Sequence, residues 1–216
     1  MPWERALLDY TNLYVRFGLG RDFDPAHPVW REYLAGLRGP RHDGDWTYRF
    51  YLTRAAVPAG PPAVMGTGCF WYSRLDEERI RLHFQNAETD GRSPLGAERL
   101  DRRLTDLATV FRHVKRTWDR PPRVVGASWL YNLSAYRRLF PPAYLATARV
   151  IGERFRSMPL WGQFLDRRGE IRERARREFL GRLDRQQSLD RLDLCFPLQV
   201  LSLEASATEF HDFYRL

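Results

Sequence analysis

The stretch from Gly96 to Trp118 limits the folds open to this chain more than any other. Leu100, Leu104, Leu107, Phe111, Val114 and Trp118 recur at three- and four-residue steps, the spacing of one continuous apolar stripe on a helix. Such a stripe needs a broad apolar surface to cover, and the flanking segments supply one. From Asp45 to Asn86 the pattern changes to period two, with a strand over Trp46 to Leu52. A hairpin follows, joining Val64–Ser73 to Arg79–Asn86 through Arg74-Leu75-Asp76-Glu77-Glu78. Pro121-Pro122 ends the helix, and Arg123 to Trp129 reads as a further strand. The helix therefore connects two strands and lies on the sheet they belong to.

Ahead of this block two helices are expected. One carries Trp3, Leu7, Tyr10, Tyr14 and Phe17 on a face and stops at Gly18 and Gly20. The other starts with Asp24 as N-cap and Pro25 in its first turn, turns Val29, Trp30, Tyr33, Leu34 and Leu37 inward, and ends at Gly39-Pro40. Behind the block come a loop at Pro58 to Pro62 within the meander and a short helix over Leu133 to Leu139 capped by Asn132. A strand near Ala148 to Ile151, an aromatic edge segment at Leu160 to Leu165 and a charged helix near Glu170 to Arg185 are next. A strand over Cys195 to Leu203 and a terminal helix with Phe210 and Phe213 complete the chain. Helices, then an antiparallel meander, then alternating strands and helices predict an α+β (α/β) fold with a mixed, largely antiparallel sheet flanked by helices and an N-terminal helical pair. The division expected is an N-terminal helical segment over 1–42 packed on a single globular domain over 43–216.

At 216 residues and 44% apolar content the chain can bury a sizeable core. The N-terminus lacks the basic segment and apolar core of a signal peptide, and no apolar run approaches a bilayer span, so a cytoplasmic location and no membrane partner are expected. Cys69 and Cys195 lie in apolar, strand-like segments without metal-ligand spacing and read as buried thiols. A net charge of +8 invites a nucleic-acid reading. Yet Lys115 is the only lysine among 35 basic residues, the bias of a GC-rich genome, and acidic residues interleave with the arginines. Glu170 with Arg174, Glu173 with Arg177 and Glu178 with Arg182 have the i,i+4 spacing of a solvated helix, and no basic run or zinc-finger spacing occurs. No nucleic-acid partner is expected.

Three places could carry chemistry. In the returning hairpin strand Ile80, Leu82 and Phe84 face one way while Arg79, Arg81, His83 and Gln85 face the other. His83, followed by Asn86 and Glu88, could be a base at a strand end or a hydrogen-bonded histidine on a solvated face. His27, His42, His113 on the outer face of the long helix, and His211 are weaker, and no pair has metal-ligand spacing, so no metal is expected. The second place is the strand-to-helix corner from Val124 to Phe140. There Ser128 could donate to a ligand, Trp129 could wall a pocket, Tyr131 could give a proton and Asn132 could bind or cap. The third is Ser157 to Phe164, where Trp161 and Gln163 place a polar group in apolar company.

The order Leu82-His83-Phe84, Ser93-Pro94-Leu95, long amphipathic helix, Gly126-Ala127-Ser128-Trp129-Leu130 resembles the GNAT-like C-terminal domain of a group of bacterial acyltransferase-domain proteins. The resemblance spans about residues 64 to 165, and the glycine-rich pyrophosphate loop of that superfamily has no counterpart in the chain. It implies a mixed sheet that takes an acyl thioester, of coenzyme A or a carrier, into a splayed cleft and transfers the acyl group to a small amine-containing metabolite. In that chemistry His83 is the implied base and Tyr131 the implied acid. Asn86, Ser128, Trp129, Asn132, Trp161 and Gln163, from the three places above, are the expected substrate contacts, with His83 and Tyr131 expected to converge on one edge of the sheet. The alternative function is a non-catalytic module that binds a small molecule or another protein. The 14% aromatic content would serve a deep pocket or a homodimer interface equally.

Overall fold

The computed structural model describes residues 24–38, 46–47, 49–50, 53, 63–152, 160–166 and 170–216. The helix expected over Trp3 to Phe17, the loop at 58–62 and the boundary expected after residue 42 lie outside them. The chain divides into two compact units. One comprises Met1–Gly60, Glu153–Gly162 and Phe179–Cys195, the other Pro61–Gly152, Gln163–Glu178 and Phe196–Leu216.

In the first unit, helix α1 spans Pro28–Leu37. It begins three residues later than Asp24-Pro25 suggested, because Pro28 takes the first helical position and the His27 ring accepts the Val29 amide at 3.3 Å. Asp24 instead closes a turn by accepting the Ala26 amide. Residues 46, 47, 49 and 50 are helical, so no strand runs from Trp46 to Leu52. The alternation that suggested one contains Trp46 and Phe50, which are also four apart. Their rings lie 5.2 Å from each other, and Phe50 lies 5.5 Å from Tyr33 of α1. Trp46 Nε1 donates to the Tyr33 carbonyl at 2.9 Å, and the indole occupies the space a side chain at Gly36 would need. Tertiary packing here overrides a pattern that alone fits either period. Trp161 meets Phe179 edge-on at 5.3 Å, and Cys195 is buried at the end of a 3-10 turn, Leu189–Cys195.

The second unit holds a six-stranded mixed sheet with the order β1-β2-β3-β4-β6-β5. Strands β1 (Met65–Thr67), β2 (Phe70–Arg74) and β3 (Arg79–Phe84) form an antiparallel meander. The β1–β2 connection has two residues, Gly68 and Cys69. Gly68 has φ +55°, which hairpins of this length require and glycine adopts without strain. A 3-10 turn, Ala97–Arg99, leads into α2 (Leu100–Thr117), which returns the chain to β4 (Arg123–Ser128), parallel to β3. After a 3-10 turn (Trp129–Asn132) come α3 (Ser134–Arg137), α4 (Pro142–Ala146) and the two-residue edge strand β5 (Arg149–Val150). A 3-10 segment over Leu160–Phe164 and the helix α5 (Glu173–Leu183) each run across a boundary between the units, and β6 (Leu201–Ser206) and α6 (Ala207–Phe213) belong to the second. Strand β6 enters between β4 and β5 and is antiparallel to both. The expected mixed, mainly antiparallel α+β sheet is therefore present.

Several local readings change. The aromatic segment at Leu160 to Phe164 is a 3-10 turn, not an edge strand. The last strand begins at Leu201, six residues beyond Cys195. Cys69 occupies a turn, although both thiols are buried and free. Glu170 precedes α5, and Glu173 forms an ion pair with Arg176 at 2.8 Å on that helix. His113 is not turned outward: its Nδ1 lies 3.0 Å from the hydroxyl of fully buried Tyr72 on the sheet.

One face of the sheet carries Phe70, Tyr72, Ile80, Leu82, Val124, Leu203 and Ala205, all in the core. The stripe of α2 supplies Leu107, Val110, Phe111 and Val114, each fully buried, and Phe111 stacks on Phe210 of α6 at 4.3 Å. Removing a ring from such a site costs the transfer energy of its atoms plus a cavity. Phe111→Ala should lower unfolding free energy by ~3–5 kcal/mol in a denaturant titration, whereas an equal truncation at exposed Phe213 should cost under ~1 kcal/mol.

Candidate functional site

The parallel ladder between β3 and β4 is short. Arg79, Ile80 and Arg81 pair with Arg123, Val124 and Val125, and no further pair follows although both strands continue. On their far sides the same strands are fully paired, β3 with β2 from Phe84 back to Ile80 and β4 with β6 from Arg123 to Ser128. Antiparallel ladders alternate the direction in which a residue aims its amide. The Gln85 amide donates to Cys69, so Phe84 aims toward β4, and the Ala207 amide donates to Pro122, so Ala127 aims toward β3. Phe84 and Ala127 thus aim their amides at each other's strand beyond the last pair of the ladder.

Aromatic hydroxyls crowd the core face beside the end of this ladder. Tyr131, two residues beyond Trp129, folds back so that its hydroxyl meets that of Tyr144 at 2.8 Å. A β-carbon at Gly126 would lie 2.0 Å from the Tyr144 hydroxyl and 2.2 Å from that of Tyr131. Only glycine allows β4 to pass so close to both phenols. Tyr136 packs edge-on against Tyr131 at 5.0 Å and against Phe84 at 5.5 Å. Burial holds the Tyr131 and Tyr136 hydroxyls well above the usual phenol range, so both keep their protons at every physiological pH. Two hydroxyls in one bond spend one proton, which leaves the accepting hydroxyl's proton to be donated elsewhere.

His83 lies on the opposite face. The register aligns Ile80 with Val124, so residues 80, 82, 84, 124 and 126 share the core side while His83 goes with Arg81, Val125, Trp71 and Ser73. Tyr131 reaches the core face by another route, because the 3-10 turn after β4 folds it back beneath Gly126, so His83 and Tyr131 stand on opposite faces of the sheet. The His83 ring stacks flat on Trp71, with centroids 3.7 Å apart and planes within 5°, and its Nε2 is 2.9 Å from the Ser73 hydroxyl. Burial and the neighbouring Arg81 charge hold its pKa down to about 4. The ring is neutral at physiological pH.

The remaining residues singled out from sequence have structural tasks. Asn86 Oδ1 accepts the Glu88 amide in the loop after β3. Ser128 caps the following 3-10 turn by accepting the Leu130 amide, and Trp129 opens that turn half-buried. Asn132 does not cap the next helix: its side-chain amide donates to the carbonyls of Trp129 and Gln199, and Leu133 takes the cap position. Gln163 is buried and both ends of its amide engage the Leu198 backbone. Trp161 belongs to the first unit and Gln163 to the second. The β4 corner therefore keeps Ser128, Trp129, Tyr131 and Asn132 together, and His83 and Asn86 stay with β3.

One cluster escaped the sequence reading. Arg103, 1% exposed, reaches Cys69 Sγ, Glu88 at 2.8 Å and Asp106 at 3.2 Å, and Arg99 ties Glu88 to Asp90. These bonds fasten the loop after β3 to the start of α2. Burial raises the Asp106 pKa against the pull of Arg103, and its carboxylate fills the space beside Gly68. The signal was available, since positions 103 and 106 interrupt the apolar stripe between Leu100 and Val110. Among the described residues no group of His, Cys, Asp and Glu could hold a metal ion, and no helix is long and apolar enough to cross a membrane.

No protein-family model, curated protein or solved structure matches the chain.

Two outcomes check this geometry. Gly126→Ala should destabilise the protein by ~1–3 kcal/mol in denaturant unfolding, because the added carbon meets two ordered phenol oxygens. His83 should titrate by NMR with a midpoint of about 4, against 6.5 for an unperturbed ring. The folded state then binds fewer protons than the unfolded chain between these values, so stability falls as pH drops from about 6.5 toward 4. His83→Gln should flatten that part of the profile, and a folded midpoint near 6.5 would contradict the burial argument.

Proposed function

We propose that the sheet-bearing unit is an acyltransferase-like domain that takes the arm of an acyl thioester between β3 and β4 and passes the acyl group to a small amine. The observation that carries this reading is the short ladder, whose parallel pairing ends after three residues while each strand stays paired on its other side, and a cleft between β3 and β4 is what we infer from it. Unpaired strand edges bind extended, amide-bearing chains by adding them to the sheet. The thioester arms of coenzyme A and of carrier proteins are such chains, and the Phe84 and Ala127 amides face the gap that would receive them.

Transfer forms a C–N bond as the amine attacks the thioester carbonyl, and breaks the C–S bond. The amine gives up one proton and the leaving thiolate takes one, so the protons balance. Backbone N–H groups at the cleft hold the developing oxyanion. The Tyr131–Tyr144 hydroxyl pair beside Gly126 keeps its protons and is assigned a hydrogen bond to the leaving thiolate, which takes its proton from water. His83, with a pKa of about 4, is too weak a base to hold the amine proton, which passes to water in the cleft. Arg99 and Arg103 are already engaged by Glu88, Asp90 and Asp106, so recognition is assigned to the arm rather than to the nucleotide phosphates.

That neutral histidine is also the one observation in favour of a second reading, a module that binds the same arm without transfer. Product formation from acyl thioester and amine separates the two.

Binding to the folded state raises the unfolding midpoint by mass action. Acyl-coenzyme A and acyl-pantetheine thioesters should both raise it. Ala127→Pro should abolish the rise with little loss of intrinsic stability: the lost N–H faces the cleft rather than β6, and Gly126 before it carries no β-carbon to clash. No shift with any thioester would sink the reading.

A further inference from the structure

We propose that Ser73 fixes His83 as the tautomer with its proton on Nδ1, making His83 a neutral hydrogen-bond donor to the acyl carbonyl rather than a base. The second half of this statement rests on the acyl-transfer reading above; the first does not.

The argument is a count of donors and acceptors. Ser73 is fully buried, and its hydroxyl is within hydrogen-bond distance of one side-chain partner among the described residues, Nε2 of His83 at 2.9 Å. A buried hydroxyl has one proton to place, and leaving a buried donor without an acceptor is costly. If Nε2 carried a proton and donated it to Ser73, the serine proton would have no acceptor in that pair. If Ser73 donates to Nε2, both groups are satisfied, and the ring's single proton must sit on Nδ1. That atom has no bond among the described residues and is not among the buried polar atoms left without a partner, so it reaches solvent. Trp71 covers one face of the ring and holds its plane, which fixes the direction of the Nδ1–H.

Position completes the case. His83 stands two residues beyond Arg81, the last residue of β3 that pairs with β4, and therefore on the part of the strand that borders the cleft. In the transfer step His83 lends a hydrogen bond to the carbonyl oxygen as negative charge builds there and keeps its proton throughout. Ser73 does not touch the substrate and is a positioning residue. Arg79, Arg81, Arg123 and Glu204 share that face, and it is the Arg81 cation that disfavours imidazolium and so supports a neutral donor.

The test is ring-nitrogen NMR on the full chain at neutral pH. Wild type should show a protonated Nδ1 and an unprotonated Nε2 at His83. Ser73→Thr, which keeps the hydroxyl, should preserve that pattern, and Ser73→Ala should lose it. A wild-type ring protonated mainly on Nε2 overturns the tautomer, whatever the variants do. In the transfer assay His83→Ala should lose ~10²–10³-fold in turnover, as for loss of one oxyanion donor. His83→Asn, which restores a neutral N–H donor but no base, should recover at least a tenth of the wild-type rate. Equal loss in both variants overturns the donor role, and a wild type that transfers nothing removes the carbonyl from the account while the NMR result still judges Ser73.

Discussion

The parting of β3 from β4 governs the rest of the sheet-bearing unit. Six of the paired positions of β4 belong to β6 and five of those of β3 to β2, so each strand is anchored to its own block. The two blocks are joined by three parallel pairs and by the α2 crossover. Sheets twist, and a short parallel seam between two well-paired antiparallel blocks is where divergence costs fewest hydrogen bonds. Gly126 marks the start of that divergence on β4, and two phenol hydroxyls occupy the space its missing side chain leaves.

The two faces beside the cleft are chemically different because the register makes them so. The core face is closed by rings and holds its hydroxyls protonated through burial. The other face carries Trp71, Ser73, Arg81 and His83, where one stacked ring and one buried hydroxyl leave a single imidazole nitrogen facing solvent. A cleft between strands opens to both faces, so groups that cannot meet on one side of a sheet can still address one arm lying between its strands. The placement of His83 and Tyr131 on opposite faces therefore rules out a direct pair and leaves a divided arrangement.

The long helix, the hairpin through Glu77, the β4 strand and the terminal helix were legible because each rests on a repeated local pattern: the stripe from Leu100, the alternation from Arg79, the apolar run from Arg123. The β4 corner was legible too, since Ser128, Trp129 and Tyr131 break an apolar run where a strand ends. Trp46 to Phe50 was misread because i,i+2 and i,i+4 aromatic spacing coincide over five residues, and the choice is made by contact with Tyr33. Facing is not local: the β3–β4 register, which pairs residues more than forty positions apart, sets His83 on the face away from Gly126, and the turn after β4 returns Tyr131 to the core face. The Arg103 cluster was hidden for a related reason, because its partners Cys69 and Glu88 come from other elements.

The central claim is that the open edges of β3 and β4 receive an amide-bearing thioester arm. Amide-resolved NMR during titration with an acyl-pantetheine thioester tests it most directly. The account predicts that the Phe84 and Ala127 amides shift with the ligand and become protected from exchange, while the β4–β6 amides stay unchanged. Saturable binding that leaves Phe84 and Ala127 unmoved, or no binding at all, would contradict it.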